Sequence, residues 1–169
     1  MRGLPILLFA VSMSGVEAPQ PVLQSVPIEG VKTADIRPMF EETHNGHRHE
    51  AIDIMEPRGT PVHAVVDGTI KKLFLSKPGG ITVYEFDEAG VFCYYYAHLD
   101  RYADGLQEGM HVNKGDVIAY VGSTGNADPG APHLHFAISR LGADKHWWEG
   151  PAIDPYPALL ELVTQRAAH

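Results

Sequence analysis

The sequence predicts a mostly β fold, an antiparallel sheet core followed by one short C-terminal helix. Three observations carry that expectation. Short apolar runs recur about every ten residues from Ala51 onward, each closed by Gly, Asp or Asn turn signals. A terminal stretch, Pro157–Arg166, carries Leu159, Leu160, Leu162 and Val163 and reads as the helix. The chain has 169 residues, 44% of them hydrophobic, which suits one domain with a real core.

The elements follow in order. Met1-Arg2-Gly3 precedes the apolar run Leu4–Val11 and small residues, so residues 1–18 read as an export leader. That run is too short to span a bilayer. Residues 19–38 form a Pro-containing stretch, a linker or an arm lying on the domain, and the domain proper is expected over 39–169. Thr60–Leu75 contains Pro61-Val62 and Ala64-Val65-Val66, a turn at Asp67-Gly68, then Thr69-Ile70. Ser76–Gly80 is a loop. Ile81–Phe86 and Val91–Leu99 flank Asp87-Glu88-Ala89-Gly90 as a hairpin. Met110–Gly115 and Asp116–Gly122 meet at Asn113-Lys114-Gly115. Ser123–Ala131 is a polar loop, His133–Leu141 a strand, and Lys145–Pro151, with Trp147 and Trp148, an aromatic insertion.

Net charge is −8 and no Lys/Arg run occurs, so nucleic-acid binding has no electrostatic support. The single cysteine, Cys93, has no partner for an internal disulfide and reads as a buried, unreactive thiol.

The chemistry is concentrated in histidines, of which there are ten. In Pro132-His133-Leu134-His135-Phe136 two imidazoles share one strand face, because side chains alternate with period 2. Upstream, His49 and Asp53 offer a nitrogen and a carboxylate. Two histidines and a carboxylate with a fourth position open make a catalytic rather than a structural zinc set. One histidine of the pair is then left for proton transfer, and the spacing does not say which. Four strand residues span about 13 Å, whereas zinc needs its ligands about 2.0–2.2 Å away. The chain must therefore bend between His49 and Asp53, or His49 must lie in a loop leading into the strand. His44, His47, His111, His146 and His169 read as ordinary surface or loop side chains, and His63 as a satisfied core or cleft-edge residue.

The run His49-x-x-x-Asp53-Ile54-x-x-Pro57-x-Gly59-Thr60-Pro61-Val62-x-Ala64-x-x-Asp67-Gly68 resembles the M23 peptidases of the lysostaphin and LytM type. So do Tyr96-Ala97-His98-Leu99, Gly122–Asn126 and the His133/His135 segment. The resemblance spans Thr33 to Leu141. It implies that His49, Asp53 and His135 hold one Zn2+ per chain, that His98 and His133 are the two catalytic histidines, and that a groove crosses the metal. It also implies peptidoglycan stem peptides and cross-links as substrate, hydrolysed with a zinc-activated water, the two histidines serving as general acid/base and oxyanion stabiliser. With the leader it points to an exported, monomeric enzyme of the periplasm or cell envelope, without a stable membrane span, cleaving D-alanyl bonds. The alternatives are a glycyl-glycine endopeptidase and a non-catalytic activator of cell-wall amidases. Tyr94, Tyr96, Ser123 and Asn126 are expected to line the groove, with core packing as the other reading for the tyrosines. Trp147-Trp148 either contact substrate or anchor their insertion. One departure is Ala51, where the family commonly has Gly; if that position needs positive φ, Ala is costly.

Overall fold

The computed structural model describes residues 18–44 and 46–168. The expected leader therefore lies, except for Ala18, outside the described residues. Among them, no helix is long and apolar enough to cross a membrane.

Among the described residues, a 3-10 turn (Thr33–Asp35) precedes eleven strands and one α-helix: β1 (Thr43–His44), β2 (His47–Arg48), β3 (Ile52–Met55), β4 (Pro61–His63), β5 (Gly68–Ser76), β6 (Gly80–Asp87), β7 (Phe92–Tyr102), β8 (His111–Val112), β9 (Val117–Val121), β10 (His133–Arg140), β11 (Ala152–Ile153) and α1 (Tyr156–Ala167). β1 and β2 form a small ribbon. The other nine make one antiparallel sheet, with β11-β10-β7-β6-β5-β8 as its main path. The mostly β expectation with a C-terminal helix holds, and the helix lies within a residue of its expected bounds. Pro157 stands in its first turn, where a missing N–H costs nothing.

β7 is the hub. It pairs with β6, β10 and β9. Alternation along β10 is clean: Leu134, Phe136 and Ile138 are buried, while His133, His135, Ala137 and Ser139 face out of the core. Beneath them Tyr94, Tyr96, Ile52, Ile54 and Leu99 fill the interior.

The bend at 65–67 leads into β5 at Gly68, and the strands on its two sides do not pair with each other: β4 pairs with β9 and β5 with β6 and β8. The Ser76–Gly80 loop is a tight turn of residues 77–79 between β5 and β6. The segment 19–38 supplies Leu23, Val26, Ile28, Val31 and Ile36 to the core. Its backbone bonds to the domain as well: the Gln24 and Ser25 amides donate to Val65 O, and the His63 amide donates to Pro27 O. The segment thus packs against the sheet through both side chains and backbone. Burial pushes the Cys93 thiol up to about 12, so it is inert.

Candidate metal centre

The bend that the His49–Asp53 spacing demands lies at Glu50. Its φ is 53°, in the left-handed region, and β3 begins only at Ile52. The turn 39–42 holds this bend from below: the His49 amide donates to Glu42 O at 2.8 Å and the Glu50 amide to Phe40 O at 3.0 Å. The Asp53 amide points at Met39 Sδ, 3.1 Å away. Ala51 is buried and has no positive φ, so an alanine there carries no backbone penalty.

Sheet register brings the other donor. β10 pairs with β3 so that His135 opposes Asp53, and with β7 so that His135 opposes Ala97. Cross-strand partners share a face. His49 Nε2, Asp53 Oδ1 and His135 Nδ1 thus form a near-equilateral triangle, with sides of 3.0, 3.1 and 3.2 Å. Burial acts against a charge on Asp53, but hydrogen bonds from His135 and His49 prevail and hold it well below the usual carboxylate range. Burial likewise opposes protonation of His49, yet the bond to Asp53 raises it.

These side chains fit a zinc ion. A tetrahedral ion at about 2.0–2.1 Å from each donor needs donors about 3.3–3.4 Å apart, within a few tenths of an ångström of the sides observed. Two imidazole nitrogens and one carboxylate oxygen are a hydrolytic zinc donor set. Among the described residues this is the one group of three such donors that converges.

His98 and His133 stand beside the triangle. His98 has φ 58°, a strained value for a non-glycine residue. Its amide donates to Gly79 O at 2.8 Å and its Nδ1 to Thr124 O at 2.9 Å. Burial pushes its imidazole down to about 4. His133 Nδ1 donates to Ala131 O at 2.9 Å. Because carbonyls only accept, Nδ1 carries the proton on both neutral rings and Nε2 keeps a lone pair. The ring centroids are 4.9 Å apart, and His133 Nε2 lies 3.9 Å from Asp53 Oδ1. With Asn126 and Asp128, they line a cavity of about 370 Å³ that includes all three donors.

The groove tyrosines are a correction. Tyr94 and Tyr96 are 1% and 0% exposed and belong to the core. A regular strand places His98 on their face, but its left-handed φ turns the ring onto the opposite face, with Tyr95. Tyr95 is the ring that reaches the site, 6.0 Å from His135. Ser123 is also turned away: it is buried and its hydroxyl accepts from Arg58 at 2.5 Å. The sequence analysis does not single out Met39, Thr124, Tyr95 or Glu50 individually. His47, read as a surface side chain, is exposed and also lines the cavity. The bulge at His98 leaves no local mark, whereas the Thr124 contact lies in the Gly122–Asn126 block already singled out.

The model of peptidase family M23 matches residues 47–155. An L-Ala--D-Glu endopeptidase of Bacillus subtilis is 33% identical over 116 residues, 66% of this chain and 34% of that protein. The DD-carboxypeptidase/endopeptidase Mpg of Neisseria meningitidis serogroup B is 37% identical over 94 residues, 55% of this chain and 20% of that one. The matched part thus spans about a third or less of these relatives' length. Among solved structures, the catalytic domain of the antimicrobial peptidase lysostaphin from Staphylococcus simulans superposes with a TM-score of 0.62 at 31% identity, covering 73% of this chain and 89% of that one.

Proposed function

The chain belongs to peptidase family M23, and on that premise we propose that it is an exported zinc endopeptidase cleaving D-alanyl cross-links of peptidoglycan in the periplasm or cell envelope. The observation that carries the reading is the juxtaposition of a zinc-fitting triangle with two histidine Nε2 lone pairs in one cavity. His49, Asp53 and His135 hold the ion. Zinc bound there supplies Lewis-acid polarisation of the scissile carbonyl and a lowered pKa for the attacking water.

The protein's own residues do the rest. As the water oxygen bonds to the carbonyl carbon, its proton passes to Nε2 of His98 or His133. When the C–N bond breaks, a protonated Nε2 returns a proton to the leaving amine. The carbonyls of Thr124 and Ala131 keep both rings in the tautomer that can accept. Burial favours the neutral form of His98, which is the form that can take a proton. General acid–base help of this kind is worth about 10²–10⁴-fold. The D-alanyl preference is supported by the likeness to a DD-carboxypeptidase/endopeptidase and by the expected export leader.

His133→Ala tests the assignment. Zinc content is expected to stay at one per chain while hydrolysis of purified sacculi falls at least about 100-fold. Retained hydrolysis removes His133 from the mechanism. Wild-type protein that cleaves neither sacculi nor pentaglycine refutes the endopeptidase reading, and zinc content near zero favours a non-catalytic activator.

A further inference from the structure

A second cavity, of about 280 Å³, opens on the other side of the donor pair. His49 and His135 form the wall common to both cavities, so one groove runs across the triangle. The far arm is built differently from the histidine arm. Rings step outward from His135: Tyr95, then Tyr84 at 4.7 Å, Trp147 at 4.6 Å and Trp148 at 5.3 Å. Trp147 also packs on Phe74, which anchors the insertion. Trp148 is 60% exposed, yet its ring is held in place by His146, stacked at 4.4 Å and 11°. His146 in turn bonds to Glu149 Oε1 at 2.8 Å. Gly150 fixes where the insertion returns to β10: a Cβ there would stand 2.2 Å from Arg140 O.

Trp148 continues the run of rings along this groove, and a contiguous aromatic surface rimmed by polar groups marks an interaction site. The charged side chains on the lining are Glu50 and Glu149, with no Lys or Arg among them. Aromatic faces and carboxylates together are the chemistry of ammonium recognition. We propose that this arm is a specificity subsite for a stem-peptide residue bearing a free side-chain ammonium, with Trp148 and Glu149 as its reading residues. The subsite rests on the endopeptidase reading above and names the substrate segment that lies beyond the scissile bond.

The test uses two synthetic cross-linked stem peptides that differ only in whether the side-chain ammonium is free or acetylated. Binding is measured by calorimetry on the zinc-loaded His133→Ala protein, and cleavage on the wild type. The free-ammonium peptide is expected to bind about tenfold tighter than the acetylated one, a gap that Glu149→Gln or Trp148→Ala, each added to His133→Ala, narrows to about twofold or less. Affinity for the acetylated peptide and zinc content are expected to stay unchanged in the Glu149→Gln protein, which separates a reading role from a disturbed loop. Equal binding of the two peptides overturns the subsite, whatever the cleavage assay returns. A binding preference without cleavage of either peptide leaves the subsite standing and overturns the endopeptidase reading instead.

Discussion

Glu85 is a carboxylate placed where a charge is costly, and its removal is expected to reshape the protein's stability against pH. It is 0% exposed. Oε2 accepts a 2.5 Å hydrogen bond from Tyr96 Oη, which itself accepts from the Val65 amide at 3.1 Å. Burial is the main cause that pushes the group from 4.5 up to about 8, against the opposing pull of the Tyr96 hydroxyl and the Val65 and Val66 amides. The folded state therefore binds this proton more tightly than the unfolded chain. Stability from this group is complete below about pH 4.5, declines as pH rises toward about 8, and is level above it. At about 1.4 kcal/mol per pH unit, that window sets an upper limit of about 5 kcal/mol.

Glu85→Gln keeps the shape and removes the titration. Urea unfolding of both proteins from pH 5 to pH 9, with metal chelated, isolates the effect, because every other titrating group cancels in the difference. The Gln protein is expected to lie within about 1 kcal/mol of wild type at pH 5 and to be several kcal/mol more stable at pH 9. Parallel stability curves, or a constant penalty for Gln, refute the reasoning and mean that Glu85 is ionised at no cost in the folded state.

Other consequences concern the supports of the site. Gly80→Ala puts a Cβ 2.2 Å from Thr124 Oγ1 at a φ of +65°, so it is expected to shift the carbonyl that holds His98. Turnover on sacculi should fall about 100-fold with zinc content intact; unchanged turnover excludes Thr124 from positioning that ring. Met39→Leu should leave stability within about 1.5 kcal/mol. Its loss of the contact to the Asp53 amide should weaken zinc about 10–100-fold in a chelator competition, and wild-type affinity refutes that support. Zinc at about 100 times its Kd should add about 3 kcal/mol to wild-type stability and close to none to Asp53→Asn, as read by thermal unfolding. Equal gains in both proteins place the ion elsewhere.

The parts legible in the sequence and the parts hidden in it differ in one physical respect. Alternation is local, so β10 could be read directly, with His133 and His135 outward and Leu134, Phe136 and Ile138 inward. The same local rule fails at β7, where one left-handed residue moves His98 from the Tyr96 face to the Tyr95 face. A hydrophobic pattern averages over such a residue and cannot register it. The His49–Asp53 bend was legible as a necessity, because an extended strand cannot bring those donors to one ion. Its location at Glu50 was not, since a backbone bond to Phe40 pins it from ten residues upstream. Register is the remaining non-local quantity. His135 reaches Asp53 only because β10 opposes β3 and β7 at once, pairing residues 82 apart in the chain. No propensity encodes that alignment. A slip of one residue would turn His135 into the core and Leu134 out beside Asp53. The buried row Leu134, Phe136 and Ile138 thus does catalytic service from below: by resisting that slip, it fixes the side on which both histidines of the pair stand.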